Sequence, residues 1–309
     1  MRLQDVEHGG SFGNRLLFAF ISMVSGMRLP DAARIVMYHK DFYGAPMAAW
    51  TQPAMRGESN WSVGERELMA ALTAKWNSCA FCIQAHKGIA SLALEKPVVE
   101  AALDNYRASD LPDKLKAMLT FLEIVVLKPD RLTITDAETL LQSGVNPQDT
   151  EDALAVATLF SITVRCADTL NFALLNENDS IKASKRMLAQ GYSFKKAKLS
   201  GRADHRSFAD ALHQRIFEGP GVTDKVLRQA MGKRASGAPA IDRPFDELAL
   251  NIGKAAYKVT DEQVAGVVKA VGSEKAAFEL ITAAAVSAGL YRWRAGLKIL
   301  KEAFGNAVK

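Results

Sequence analysis

The stretch AVATLFSITVRCADTLNF, residues 155–172, is apolar on nearly every side when wound as a helix. A helix of that kind is stable only where protein surrounds it, so other helices or a second subunit must cover it. The neighbouring sequence is patterned to supply that cover. From Val98 to about Leu175 the apolar spacing is helical throughout, interrupted at Asp110 to Pro112, Lys128 to Thr135 and Gly144 to Pro147. No sustained alternation argues for strands. The expected fold is all-α. With 309 residues, 49% of them hydrophobic and 24% charged, the chain is globular and long enough for two domains.

The N-terminal part carries two expected helices, about 14–25 and 30–40, the second opened by Pro30. The run LLFAFISMV, residues 16–24, is about half the length of a bilayer span. It sits between Arg15 and Arg28 with no small-residue cleavage site behind it, so it reads as a buried or partner-facing helix. His39 is expected at a helix end or on the surface. Residues 44–60, with Pro46, Pro53 and Gly57, should form turns and short helical pieces. Ser62 and Glu65 make a capping box for the next helix, which should end near Asn77, with Ser78 capping the one after it.

Those two helices bring the chemistry. Glu67, Cys79, Cys82 and His86 follow one another as E-x11-C-x2-C-x3-H. At about 100° per residue, Cys79, Cys82 and His86 share a sector of roughly 60° on one helical face. A cysteine reacts as its thiolate, and at a pKa of about 8.5 it is mostly protonated at neutral pH. His86, one turn beyond Cys82, is placed to take that proton, and Glu67 to orient the imidazole. Cys79, with Ser78 as cap, would instead lie in a helix's first turn, where free N–H groups favour the thiolate. Spacing does not rank the two routes. Cysteines three apart on a helix reach disulfide geometry with modest adjustment, which suits a cycle of attack on an oxidant followed by resolution.

These four residues resemble the alkyl hydroperoxidase D-like branch of the carboxymuconolactone decarboxylase family. The similarity extends through YGAPMAAWTQPAMRGESNWSVGERELMAA upstream and KLKAMLTFLEIVVLKPDRLTITDAETLLQSGVNPQDTEDALAVATLFSITVRCADTLNF downstream, about residues 38–176. The resemblance implies an all-helical bundle and a thiol-dependent peroxidase. In it Cys82 attacks the hydroperoxide, Cys79 resolves the sulfenic acid, the Glu67–His86 relay serves Cys82, and an external dithiol donor restores both thiols. It implies no cofactor and a homo-oligomer. The chain departs from some thiol members at Phe81, where they carry a second histidine. The family's decarboxylases work without the cysteine pair, so a lyase using His86 and Glu67 is the first alternative. The second is a redox-sensing protein without turnover.

A structural zinc site would need four ligands, and three cysteines with five histidines at no zinc spacing do not offer them. No βαβ pattern surrounds the Cys-x-x-Cys, and Cys166 reads as a small core residue. A reducing, cytoplasmic setting is expected, with no membrane partner. The net charge of +5 is concentrated in Lys182, Lys185, Arg186, Lys195, Lys196, Lys198 and Arg202, which reads as a solvated connector with no nucleic-acid motif. Beyond it the sequence reads as a repeat: Thr135 and Asp136 as Thr260 and Asp261, Arg107 to Ser109 as Arg234 to Ser236, and Asp152, Arg165 and Leu170 against Glu279, Arg292 and Leu297. The expected organisation is an active domain over 1–180, a basic linker over 181–203 and a degenerate copy without the site over 204–309. His205 and His213 are expected on the surface.

Overall fold

The structure, a computed structural model, describes residues 1–192 and 201–305. Its regular elements are α1 (Gln4–His8), α2 (Phe12–Ser25), α3 (Asp31–Tyr38), α4 (Ala45–Arg56), α5 (Val63–Trp76), α6 (Ala80–Ala93), α7 (Lys96–Asn105) and α8 (Asp113–Leu127), then α9 (Ile134–Gln142), α10 (Pro147–Leu170), α11 (Glu177–Gln190), α12 (His205–Phe217), α13 (Lys225–Ala235), α14 (Phe245–Lys254), α15 (Asp261–Val271) and α16 (Glu274–Phe304). One π turn and two 3₁₀ turns complete them, and among the described residues there is no strand. The all-α expectation therefore holds. Breaks fall where Pro, Gly and the capping residues put them: Ser62 accepts from Glu65 N at 3.2 Å while Glu65 accepts from Ser62 N at 2.7 Å, a box that stabilises α5 by about 1 kcal/mol.

By packing, the chain divides into two compact units made of discontinuous segments. One contains the described residues of Trp50–Ser161, Ser180–His205 and Gly289–Lys309; the other comprises Met1–Ala49, Ile162–Asp179 and Arg206–Ala288. The long apolar helix α10 is buried along its length, as its composition requires. It is the one helix among the described residues long and apolar enough to cross a membrane, and 89% of that window is buried in the protein. Residues 45–56, expected as turns and short helical pieces, form the single 12-residue helix α4 with Pro53 inside it. The burial of Trp50, Ala54 and Met55 outweighs the one helical hydrogen bond that proline removes.

Each unit repeats details of the other. Arg66 is buried in α5 and donates to the carbonyls of Ala54 and Gly57; Arg228 is buried in α13 and donates to those of Ile216 and Gly219, at the same distances along the chain. A Cβ on Gly57 would stand 2.4 Å from the Pro53 oxygen, and one on Gly219 2.5 Å from that of Arg215. Thr133 caps α9 and Thr260 caps α15 with the same box. In one unit Arg165 donates to the Gly253 carbonyl at 3.1 Å; in the other Arg292 donates to the Val126 carbonyl at 2.8 Å. Arg66 to Arg228 is a step of 162 residues; Thr133 to Thr260, Arg165 to Arg292 and Val126 to Gly253 are steps of 127. Thr260 thus matches Thr133 and not Thr135. Arg234 to Ser236 close helix α13, whereas Arg107 to Ser109 form a turn after α7, so that pairing does not hold.

Other expectations are corrected. His205 is buried rather than on the surface: Trp50 Nε1 donates to its Nδ1 at 3.1 Å, which leaves Nε2 protonated and facing Asp152 at 3.4 Å. Residues 16–24 lie in α2, where Phe18 alone is buried, so of the two expectations, buried or partner-facing, the buried helix does not hold. Cys166 is buried as expected, 3.6 Å from the Tyr43 hydroxyl. The basic stretch opens inside α11, and Arg202 pairs with Asp149 at 3.4 Å; Lys195, Lys196 and Lys198 lie outside the described residues.

Candidate active site

Helices α5 and α6 form a tight hairpin that brings Glu67 against His86. Its joint is made by Ser78, at φ 62°, and by Cys79 N donating to the Ala74 carbonyl at 3.0 Å. Ser78 therefore ends the turn instead of capping α6. The cap position falls to Cys79, whose sulfur makes no capping hydrogen bond. The hairpin is close at Gly64 of α5, where a Cβ would stand 2.6 Å from the Leu94 side chain and 3.3 Å from that of Ala93. Cys82 and His86 lie one turn apart on α6, both buried, and none of the three cysteines is in a disulfide.

Glu67 is fully buried and holds three donors. His86 Nδ1 stands 2.8 Å from Oε2, Arg56 Nη2 is 2.8 Å from Oε1, and the Tyr192 hydroxyl donates to both oxygens at 3.0 Å. Burial alone would raise the pKa of Glu67, but the hydrogen bond and charge of His86, with those of Arg56, outweigh it and hold the carboxyl below its usual range. An ionised carboxylate only accepts, so His86 carries its proton on Nδ1 and leaves Nε2 as the acceptor in the neutral ring. Phe160 packs T-shaped against that ring, the centroids 4.3 Å apart. Burial and the Glu67 charge push the Tyr192 phenol well up, with a smaller contribution from Cys82, so it remains a donor.

Three residues of this site were not read from the sequence: Arg56, Phe160 and Tyr192. Arg56 ends α4 and stacks on Tyr192 at 5.1 Å. Tyr192 arrives through α11. A Cβ on Gly88 of α6 would meet Ser184 of α11 at 2.4 Å, so this glycine sets how closely α11 docks. At its end Gly191 takes φ 72° against Gln52 and Arg56, Tyr192 N donates to Gln52 Oε1 at 2.5 Å, and Arg56 donates to the Met187 carbonyl at 2.9 Å. Among the described residues no group of three His, Cys, Asp or Glu side chains converges as a metal would require.

The fold and site together define an all-α chain with a buried carboxylate–imidazole pair and two thiols, one on the helix that carries the imidazole and one at its N-terminal cap. The solved structures similar to it include two peroxidase-related proteins. One is titled an alkylhydroperoxidase AhpD core, an uncharacterized peroxidase-related protein from Ralstonia eutropha JMP134: 24% identity over 55% of this chain and 88% of that one, TM-score 0.47. The other is an uncharacterized peroxidase-related protein from Silicibacter sp. TM1040, with 24% identity, the same coverage and a TM-score of 0.48. Neither a protein-family model nor a curated protein matches the sequence.

Proposed function

We propose that the chain is a thiol-dependent peroxidase that reduces hydrogen peroxide or an organic hydroperoxide through a Cys79–Cys82 disulfide cycle. The observation that carries this reading is the buried Glu67–His86 pair, with His86 Nε2 left as acceptor one turn from Cys82. His86 takes the thiol proton and the Cys82 thiolate attacks the outer peroxide oxygen. The O–O bond breaks, and the alkoxide leaves as the alcohol with that proton. The sulfenic acid on Cys82 condenses with the Cys79 thiol, forming the disulfide and releasing water. An external dithiol donor then reduces the disulfide by exchange. Glu67 holds His86 and offsets the imidazolium charge; Arg56 and Tyr192 hold Glu67. Steady-state consumption of an organic hydroperoxide with excess dithiol tests the reading. Turnover that vanishes in Cys82→Ser supports it. Turnover of a carbon acid that survives loss of both cysteines would give the site to an acid–base lyase, and one equivalent consumed without recycling would make it a sensor.

The second half of the chain reads as a copy of the first that has lost the reactive helix. Support comes from the paired bonds of Arg66 and Arg228, of Arg165 and Arg292, and of the Thr133 and Thr260 caps. The step between matching residues falls from 162 before the site to 127 after it, a loss of 35 residues between α13 and α14. The first copy places α6 and α7 there, with Cys79, Cys82 and His86. Glu67 has Gln229 as its counterpart, so the copy keeps the scaffold and none of the chemistry.

A further inference from the structure

Helix α2 is amphipathic the wrong way round for a helix that serves only its own chain. Of the fifteen large apolar side chains exposed among the described residues, six lie on its 14 residues: Phe12, Leu16, Leu17, Phe20, Met23 and Val24, each 42% to 78% exposed. That share makes a patch and not the ordinary scatter of surface hydrophobics. On a helical wheel the six fall within about 140°, with the buried Phe18 opposite them. The polar residues share Phe18's side, and three of the four are spent on the chain itself. Asn14 donates to the Gly9 carbonyl at 2.9 Å, Ser22 Oγ accepts from Leu29 N at 3.2 Å, and Ser25 donates to the Met27 carbonyl at 3.2 Å.

We propose that this face is a self-association surface, on which α2 of a second copy of the chain packs antiparallel about a twofold at the level of Phe18. The area fits: the six side chains expose about 800 Å² of largely apolar surface, what each partner buries in a standard stable interface. The pattern is self-complementary. In that register Leu16 meets Phe20, Phe12 meets Val24, and Met23 meets Gly13, whose Cβ position has nothing within 4 Å. No charge lies in the stripe, so pairing two copies opposes no like charges. A bilayer surface is the poorer fit. It would need a polar face rich in Lys and Arg, whereas α2 offers Arg15 alone and packs beside α1 with Asp5 and Glu7.

The molar mass of the full chain across micromolar concentrations, by light scattering after gel filtration, tests this beside Leu16→Glu/Phe20→Glu. Both positions are exposed, and an unchanged helical spectrum with a single cooperative unfolding transition in the variant verifies its fold. The expected result is twice the 33.6 kDa chain mass, or an even multiple, for the wild type, with half of that for the variant. A wild-type monomer overturns the proposal. So does a variant that keeps the wild-type mass, or a monomer that binds neutral or phosphatidylserine vesicles through this face.

Discussion

Tyr192→Phe removes one hydroxyl from the site and leaves the ring that packs on Arg56 and His86. The hydroxyl donates to a buried carboxylate, and hydrogen bonds to charged groups contribute about 1.5–3 kcal/mol. At about 2–4 °C per kcal/mol for 150–250 residues, the midpoint of thermal unfolding should fall by about 3–12 °C at neutral pH. The pH dependence identifies the cause. Glu67 titrates below its ordinary value in the folded protein, so its contribution is complete above the unfolded carboxylate pKa of about 4.3 and is lost as pH falls through the folded value. The hydroxyl donates to the charged form. The gap between wild type and variant should therefore be widest near pH 7 and shrink below about pH 4, towards the 0.5–1.5 kcal/mol of a neutral bond. Denaturant melts across that range measure it. A gap that stays constant with pH would mean that Tyr192 contributes by packing and does not hold the Glu67 charge. No gap at all would remove it from the site.

Glu67→Gln leaves Arg56 without its counter-charge and should cost about 3–5 kcal/mol in denaturant unfolding, with hydroperoxide turnover lowered by about 10²–10⁴ if the His86 relay operates. Gly191→Ala should cost about 1–2 kcal/mol for its left-handed backbone, plus the crowding of a Cβ 2.6 Å from Gln52 Oε1. Gly144→Ala, at φ 77° with nothing within 4 Å, should cost the first part alone, and thermal melts of the two variants separate them. Glu279, fully buried, is held down to about 2 by His39 Nε2 at 3.0 Å and by Thr223 and the backbone of Val222, which together outweigh burial. It should contribute about 3 kcal/mol at neutral pH, lost as pH falls from about 4.5 to 2. Acid unfolding of Glu279→Gln should then be flatter over that window than that of the wild type.

The helices and their breaks were legible because periodicity and capping are local. Ser62 with Glu65, Pro147 and the αL turn at Gly144 act within one turn of the chain. The Glu67–His86 contact was legible for the same reason, since one short hairpin brings the two together. Tyr192 was not, because it stands 125 residues beyond Glu67 and reaches it only through the Gly88–Ser184 approach of two helices, which leaves no local pattern. Ser78 was misread since capping residues also tolerate the left-handed backbone that ends a helix. His205 read as a surface residue because its partners, Trp50 and Asp152, are distant in sequence. The contiguous ranges 1–180 and 204–309 followed chain order, whereas the compact units divide α10 after Ser161 and α16 after Ala288, also 127 residues apart. Under the proposed duplication, the shift in step from 162 to 127 hides the earlier matches from an ungapped pairing of the two halves.

The central claim is that Cys82 and Cys79 are the redox pair served by Glu67 and His86. It is tested most directly by giving the fully reduced protein one equivalent of an organic hydroperoxide, quenching with a thiol-alkylating reagent and mapping residues 79–82 by mass spectrometry. The account expects one alcohol formed per chain and an unalkylated Cys79–Cys82 disulfide in the wild type, with a sulfenic acid trapped on Cys82 in Cys79→Ser. Both cysteines alkylated and the hydroperoxide intact would contradict it.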